Sequence, residues 1–473
     1  MPTDPRAPCL IGVARHTWRD EPAPEPLDMW ETLARAAAED AGSPDALKNV
    51  QSLQVVFSQS WEYDDPCARL AERLGAAPSV SAYSGLGGSV PVKLAAEAAA
   101  AMARGELDLA LIVGGEALAT RKHLPEPAWS YPPDEPKPYP ITIERAERKN
   151  GIFQAYLTFA LLDTARRGHL GQSIEDRRLE IGRLMAPMSE LAAAQPEYAW
   201  FPTAHTAEHI STTTPDNRMV ATPYTKLMTA VMDVDMAAAV LLATEERADA
   251  LGVPADQRVY LHGTGYAEEP GAMAARPEPW RSPAMAAAMG SALGGMPAEE
   301  VAHFDLYSCF PGSLSFAVDA LGLPAGRPLT VTGGLPYHGG PGSNYSTHAL
   351  AAMAEALRAD PGSAGLVSGI GMHMTSHSAS VWSTRPGSYV PAAPAAALPS
   401  VPVTTEAEGP ATVVTFSTTY SRQGPESTAL ICDLPDGSRT YARLDEPVPA
   451  DTDLVGQPVT LSPGDTGATD AHR

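Results

Sequence analysis

Two distant stretches of the chain repeat one pattern, in which a glycine-rich loop is followed by an alanine-rich helix and by a buried strand that ends in glycines. The first stretch spans residues 85–116 and the second spans residues 333–371. Glycines allow backbone N–H groups to gather at the start of each helix, where the helix dipole favours an anion or a polarised oxygen. The chain is therefore predicted to contain a duplicated α/β unit with a candidate anion or oxyanion site in each copy.

The segments around these copies continue an alternation of strands and helices. Residues 9–15 and 50–59 have the apolar runs of buried strands, and residues 27–42 have apolar side chains at helical spacing before a terminal glycine. Helices of this length between strands are typical of a parallel sheet that is covered by helices. The predicted fold class is accordingly α/β.

Other regions depart from this alternation. Residues 120–223 are rich in proline, charged and aromatic residues and are predicted to form an insertion over the α/β core. Residues 388–400 are a Pro/Ala linker, and short alternating segments in residues 401–463 predict a small β-barrel similar to oligonucleotide-binding barrels. Residues 464–473 are predicted to be a disordered tail.

The formal net charge of −23 argues against two classes of partner. An acidic surface repels nucleic acid and anionic membranes, so neither nucleic-acid binding nor membrane insertion is expected. The four cysteines are far apart and lack the spacing of a metal site, which is typical of a reduced, cytoplasmic protein. No segment has the roughly 18 uninterrupted apolar residues of a membrane-spanning helix.

Five segments, in the same order along the chain, resemble the thiolase superfamily. They lie within residues 10–385 and read GGSVPVKLAAEAAAAMARGELDLALIVGGEAL, NRMVATPYTKLMTAVMDVDMAAAVLL, DLYSCFPG, TGGLPYHGGPGSNY and GLVSGIGMHMTSHS. The resemblance is to thiolase-like proteins with an extra C-terminal domain, of the SCP2-thiolase (lipid-transfer-protein) and acetyl-CoA acetyltransferase kind.

This resemblance implies a thiolase fold with two duplicated βαβαβαββ halves in five layers, α-β-α-β-α, together with a loop domain and the C-terminal barrel. The N-terminal half would comprise residues 1–119 and 224–255, and the C-terminal half residues 256–387. The insertion at residues 120–223 would correspond to the loop domain that covers the substrate of thiolases.

Thiolases act through a cysteine nucleophile at the start of the first repeated helix, an Asn-Glu or His-Asp motif, a Gly-His-Pro motif and a second cysteine. In this sequence the first cysteine position is Gly88, and the second lies near Ser368. A Tyr-Ser pair at residues 307–308 and a Gly-Gly-Pro run at residues 339–341 replace the other two motifs. Because neither the thiol nor the imidazole that would deprotonate it is in its usual place, ordinary covalent thiolase turnover is not expected.

Neighbouring residues are candidates for substitute roles. The candidate catalytic residues are Tyr307, Cys309, His348 and His377, and the residues expected to line the ligand site are Gly88, Ser89, Gly340, Asn344 and Ser368. Several also have a structural interpretation: Ser89 as a helix cap, Cys309 and both histidines as packed core residues, and Asn344 as the residue that holds its turn.

Three functions are open at this point. The favoured class is an acyltransferase or acyl-thioester-processing enzyme of lipid metabolism with nonstandard residues, and the loss of both cysteines gives similar weight to a non-catalytic acyl-CoA or lipid-binding protein. The third is a retro-aldol lyase, because related retro-aldolases have a Tyr-Asp-Ser-Phe type motif whose tyrosine transfers a proton, and YSCF keeps Tyr307 but has Ser308 in place of Asp. The expected ligand is CoA or an acyl-CoA with no other cofactor and no metal, and the expected assembly is a monomer or homodimer.

Overall fold

The strands of the two halves join in one nine-stranded sheet in the computed structural model, which describes residues 4–124, 129–135, 143–389, 391–392, 394–464 and 467–473. The strands, in chain order, are β1 (Pro8–Thr17), β2 (Ser52–Val55), β3 (Val80–Tyr83), β4 (Leu109–Ala117), β5 (Met219–Ala221), β6 (Tyr224–Thr225), β7 (Asp235–Thr244), β8 (Val259–Glu268), β9 (His303–Asp305), β10 (Ala364–Gly371), β11 (Ser376–Ser383), β12 (Gly409–Tyr420), β13 (Pro425–Asp433), β14 (Arg439–Leu444), β15 (Pro458–Pro463) and β16 (Thr469–His472).

The helices begin at the signals that the sequence supplies, such as a proline in the first turn or a capping side chain from Asp65 or Ser282. They are α1 (Pro26–Asp40), α2 (Pro66–Leu74), α3 (Val90–Ala103), α4 (Leu118–His123), α5 (Arg145–Lys149), α6 (Ala155–His169), α7 (Ile174–Ala194), α8 (Ala207–Ser211), α9 (Glu245–Ala250), α10 (Pro283–Leu293), α11 (Pro311–Leu321) and α12 (Tyr345–Ala359). Among the described residues, none of the helices combines the length and the apolar character that crossing a membrane requires.

The order of the strands in the large sheet is the same in both directions from its centre. That order is β3-β2-β4-β7-β1-β8-β11-β10-β9, and the first strands of the two halves, β1 and β8, pair antiparallel at the middle. Antiparallel β7 and β11 flank them, followed by β4 and β10, and then by the parallel strands β2 and β9. The topology confirms the duplication that the repeated sequence pattern predicts.

Helices cover both faces of the two half-sheets. The repeated helices α3 and α12 pack against each other and against strands of both halves, whereas α1 packs on the N-terminal strands and α10 on the C-terminal ones. These contacts produce the five predicted layers, with α3 and α12 in the central one. The loops that precede α3 and α12 therefore lie side by side in the interior.

Corresponding glycines allow a helix to lie directly on the first strand of each half. A Cβ atom at Gly12 of β1 would overlap the carbonyl oxygen of Ala37 in α1, and a Cβ atom at Gly265 of β8 would overlap that of Ala288 in α10. The same device on the same strand of each half is a second sign of the duplication.

The C-terminal strands close a five-stranded barrel, as predicted. Strand β12 pairs with β13, β13 with β14, β14 with β16, β16 with β15, and β15 returns to β12. The β5–β6 hairpin from the end of the insertion adds to this sheet, because Ala221 pairs with Thr419 of β12. The barrel is thus joined to the insertion by backbone hydrogen bonds.

The prediction of a disordered tail at residues 464–473 is wrong where the structure describes it. Thr469–His472 forms β16, which lies between β14 and β15 and closes the barrel; residues 465–466 lie outside the described residues. Thr469 and Ala471 point inward and are buried, and the Thr469 N–H donates to the Asn150 side chain at 3.1 Å. Only pairing with distant strands makes this polar segment a strand.

Candidate functional site

The loop at the start of α3 is held by serines of the C-terminal half. The hydrogen bonds are Gly87 N–H to Ser343 Oγ at 2.9 Å, Ser346 Oγ to Gly88 O at 2.7 Å, Ser378 Oγ to Ser89 O at 2.8 Å, and one between the hydroxyls of Ser89 and Ser376 at 2.9 Å. The Ser89 side chain makes no capping bond to α3. Its hydroxyl instead connects α3 to β11.

Tyr307 occupies the space above Gly88. A Cβ atom at Gly88 would overlap the Tyr307 hydroxyl group and would lie 2.5 Å from its Cε2 atom. The Tyr307 N–H donates to Ser368 Oγ at 2.9 Å, which fixes the second residue after β9 against β10. The phenol ring therefore fills the position at which a side chain of residue 88 would stand, and the structure brings Gly88, Tyr307 and Ser368 together.

Tyr307 is buried, and its hydroxyl has no hydrogen-bond partner among the described residues. The residue keeps 6% of its surface exposed. Burial raises the pKa of Tyr307 well above its usual value, so the phenol is neutral at pH 7. It is therefore a hydrogen-bond donor located at the N-terminus of α3.

Cys309 lies in the same loop but has the surroundings of a core residue. Its Sγ atom is 4.0 Å from Ser313 Oγ, and within the described part of the chain no imidazole is hydrogen-bonded to it. Burial raises the pKa of the Cys309 thiol to about 12. Since the thiolate is the nucleophile, this cysteine lacks both the base and the ionisation that covalent catalysis needs.

His348 faces another histidine rather than Tyr307 or Cys309. Its Nδ1 atom lies 3.4 Å from Nε2 of His338, and both rings are fully buried. Burial lowers the pKa of His338 to about 3 and that of His348 well below its usual value. Ring contacts lead from Tyr307 to Tyr345, from Tyr345 to His338 and from His338 to His348, so His348 has no ring contact with Tyr307 among the described residues.

His377 lies on β11 and also turns away from the Tyr307 loop. Its Nε2 atom is 3.1 Å from the Met374 carbonyl oxygen and 3.3 Å from Ser282 Oγ, which in turn donates to Glu269 at 2.7 Å. Burial lowers the pKa of His377 to about 3. The four candidate catalytic side chains thus do not share a hydrogen-bond network among the described residues.

The loop before α12 holds the remaining predicted residues in place. Asn344 donates from Nδ2 to the Gly114 carbonyl oxygen at 2.7 Å, and its buried Oδ1 atom has no partner among the described residues. The Gly340 N–H donates to the Val231 carbonyl oxygen at 2.9 Å. Asn344 therefore connects the loop before α12 to Gly114 of β4, and its role at the site stays a prediction.

Glu116 is a buried carboxylate near this loop that the sequence analysis missed. It accepts hydrogen bonds from the backbone N–H groups of Gln59 at 2.8 Å and Ser60 at 2.9 Å, and a Cβ atom at Gly342 would overlap it. Burial raises the pKa of Glu116 to about 7. The only sequence signal was an acidic residue at the end of a wholly apolar strand.

A basic cavity of about 830 Å³ lies between the insertion and the barrel, and it was also missed. Three cations and one carboxylate line it, so its charged side chains carry a net positive charge: Arg218, Lys226, Arg422 and Asp216. Tyr156 and Thr229 also line it. Arg218 and Lys226 flank the β5–β6 hairpin, whereas Arg422 follows β12 about 200 residues later, so no local motif contains all three.

Two residues close in sequence to the lining of the basic cavity contact the loop of Tyr307. The residue after Thr229, Ala230, donates from its N–H to the Cys309 carbonyl oxygen at 2.9 Å. One turn after Tyr156 in α6, the ring of Phe159 lies 4.8 Å from that of Phe310, centroid to centroid.

The described residues contain no group of three or more His, Cys, Asp or Glu side chains that could hold a metal ion.

The buried imidazoles predict acid sensitivity. Burial keeps His338 and His348 neutral in the folded state, whereas the unfolded chain binds protons on them below about pH 6.5. Protonation therefore favours the unfolded state, and the free energy of unfolding falls as the pH drops from 6.5 towards about 3. We expect the free energy of unfolding to drop by about 2 kcal/mol per imidazole between pH 6.5 and pH 5. Urea unfolding at both pH values measures it.

The matched variants are His338→Gln with His348→Gln, and His123→Gln as the exposed control. The double variant should lose the part of this pH dependence that His338 and His348 contribute, whereas His377 still contributes its own part, and the control should keep the whole dependence. Equal slopes in all three proteins would contradict charge exclusion at the buried pair.

Comparison with known proteins adds whole-chain similarity. No family model and no curated protein matches the chain. A crystal structure of a monomeric SCP2-thiolase like protein type 1 from Mycobacterium smegmatis is similar over 100% of both chains, with 31% identity and a TM-score of 0.88.

Two further solved structures match a smaller share of the chain. An acetyl-CoA acetyltransferase from Syntrophomonas wolfei has 15% identity and a TM-score of 0.58, with 80% of this chain and 99% of that one covered. A structure described as an Ltp2-ChsH2(DUF35) aldolase has 18% identity and a TM-score of 0.61, with the same shares. These two show the fold alone.

The family assignment rests on the duplicated sheet, on the loops at α3 and α12, on the added barrel and on the 31% identity over the full length. The chain belongs to the thiolase superfamily, as an SCP2-thiolase-like protein with an additional C-terminal domain.

Proposed function

We propose that the protein binds an acyl-CoA and holds the thioester beside Tyr307 without forming an acyl-enzyme. The observation that carries this proposal is the Tyr307 ring above Gly88, in the position where thiolases are expected to hold their nucleophile. The neutral phenol and the N-terminus of α3 offer hydrogen-bond donors to a carbonyl oxygen, but neither offers an acyl acceptor. Acyl transfer through Cys309 is less well supported because its thiol is buried and protonated.

The basic cavity supports CoA as the carrier of the acyl group. CoA has phosphate groups at one end and its thioester at the other. In a chain with a net charge of −23, three cations around one cavity are a local exception that would attract phosphates. Ala230, which follows Thr229 of the cavity lining, contacts the Tyr307 loop, so phosphates in the cavity and a thioester at Tyr307 are compatible with one bound molecule.

Calorimetric titration with acetyl-CoA and with CoA tests this proposal. Arg218 donates to the carbonyl oxygens of Met219 and Tyr420 and so has a structural role, whereas Lys226 and Arg422 are exposed. Lys226→Ala and Arg422→Ala should each weaken binding by at least about tenfold, the loss expected for one charge-assisted hydrogen bond. Arg183→Ala, an exposed arginine of α7, is the control. No binding of either ligand by the unaltered protein would refute the proposal.

A retro-aldol lyase is the second candidate, favoured by the unbonded Tyr307 hydroxyl and by the likeness to a structure described as an aldolase. In such a step the Cα–Cβ bond of a β-hydroxyacyl-CoA breaks, the β-hydroxyl loses its proton to become an aldehyde or ketone, and Cα of the acyl-CoA takes up a proton. Tyr307→Phe should abolish this cleavage and weaken acyl-CoA binding by no more than about tenfold, the loss of one hydrogen bond. Cleavage that persists in Tyr307→Phe would eliminate the tyrosine as the proton-transfer group.

A further inference from the structure

A buried arginine, Arg276, connects the C-terminal barrel to the candidate site. It lies between β8 and α10 and is 4% exposed. Its Nη2 atom donates to the His373 carbonyl oxygen at 2.8 Å and approaches Thr375 Oγ1 at 3.4 Å. No carboxylate within 4.0 Å pairs with Arg276 among the described residues. A buried cation with backbone acceptors in place of an ion pair is costly, which points to a role for this contact.

The Arg276 contact lies on a strained turn. Residues 371–376 connect β10 to β11, and Met372 and Met374 have φ angles of 51° and 53°, which non-glycine residues rarely adopt. The carbonyl oxygen that Arg276 binds belongs to His373, between these two methionines. The turn also carries Ser376, whose hydroxyl bonds Ser89 at the start of α3. Its conformation therefore affects the loop below Tyr307.

Strand β14 of the barrel forms hydrogen bonds to the segment that contains Arg276. Arg439 donates from Nη1 to the Arg276 carbonyl oxygen at 2.5 Å and from Nη2 to that of Pro277 at 3.1 Å. The Tyr441 hydroxyl accepts from the Ala274 N–H at 2.9 Å and donates to Glu147 at 2.6 Å. The barrel thus fixes the backbone on both sides of Arg276.

We propose that Arg276 is a positioning residue through which the barrel fixes the 371–376 turn and, by way of Ser376 and Ser89, the start of α3. Undocking β14 would release the Arg276 segment, and the strained turn would relax. The mechanical part of this inference stands without a ligand. Its consequence for ligand affinity rests on the proposed acyl-CoA binding.

Hydrogen–deuterium exchange of the full chain tests the mechanical part. In Arg439→Met and in Arg276→Lys, peptides that cover residues 368–380 and 87–93 should exchange about tenfold faster or more, while barrel peptides from β12 and β13 stay unchanged. Arg258→Lys is the matched control, because Arg258 is also buried and donates to a backbone carbonyl oxygen, that of Val253. It should leave residues 368–380 protected.

Unchanged exchange at 368–380 in both variants would overturn the inference, and so would faster exchange that spreads equally over the whole barrel. Where Arg276→Lys fails to fold, Arg439→Met decides alone. Acetyl-CoA titration of the same proteins is a separate readout: affinity should fall by about tenfold or more in both variants and stay unchanged in Arg258→Lys. Unaltered affinity in both variants would overturn the inference that the barrel influences ligand binding. No binding by the unaltered protein would refute the proposed function, and the exchange result alone would then decide whether the barrel fixes the 371–376 turn.

Discussion

Replacing Arg177 with methionine is expected to lower the free energy of unfolding by about 3–5 kcal/mol, the usual cost of leaving half of a buried ion pair behind. Arg177 and Asp163 are both fully buried, and the Nε atom of the arginine donates to the carboxylate at 2.8 Å. The Nη2 atom of Arg177 also donates to Ser315 Oγ at 2.7 Å. The pair therefore joins α6 and α7 of the insertion to α11, the helix that follows the Tyr307 loop.

Urea unfolding followed by circular dichroism measures this loss. Adding Asp163→Leu to Arg177→Met removes the unpaired carboxylate and should recover most of the stability, because two apolar side chains of similar volume often replace a buried ion pair at little cost. Glu31→Ala, which removes a half-buried i,i+4 partner of the exposed Arg35, is the control and should change stability by less than about 1 kcal/mol. If Arg177→Met lowers the free energy of unfolding by less than about 1 kcal/mol, as the control does, the buried pair does not hold the insertion on the core.

Replacing Gly88 with alanine is expected to cost about 1–3 kcal/mol, because its methyl group would enter the volume of the Tyr307 ring. The same change in a Tyr307→Ala background should cost little, since the ring is gone. A double-mutant cycle on unfolding free energies measures the difference, which equals the coupling between the two positions. Gly85→Ala is the control, because no atom lies within 4 Å of a Cβ at that position.

Equal costs for Gly88→Ala in both backgrounds would mean that the ring does not lie above Gly88. The cycle distinguishes a filled nucleophile position from a glycine that is needed for its backbone alone. In the second case the penalty would be independent of residue 307.

The parts of the fold that local patterns control could be predicted from the sequence. The two glycine-loop, helix and strand units are contiguous, so their periodicity and glycines are visible in sequence and the symmetric sheet follows from them. The barrel differs from its prediction at its last strand, which lies in the segment predicted to be a disordered tail. Thr469–His472 lacks an apolar run and becomes β16 only through pairing with β14 and β15. Pairing between distant segments leaves no local signal.

The same limit applies to the candidate site. The resemblance to thiolases assigned Gly88, Tyr307 and Ser368 to one site, but the ring position of Tyr307 depends on packing between the two halves. His348 follows the Gly-Gly-Pro run that replaces the Gly-His-Pro motif of thiolases, and this position suggested that it acts as a base. In the structure, however, the His348 side chain lies against His338. Catalytic roles for the candidate residues stay predictions.

The central claim is that the tyrosine ring has replaced the thiolase nucleophile, and intact-protein mass spectrometry after incubation with acetyl-CoA tests it most directly. The unaltered protein should keep its mass, because no thiolate stands at the start of α3. The variant Gly88→Cys with Tyr307→Ala should gain the mass of one acetyl group, because it returns a thiol to the helix N-terminus. An acetyl group found on Cys309 of the unaltered protein would contradict the claim.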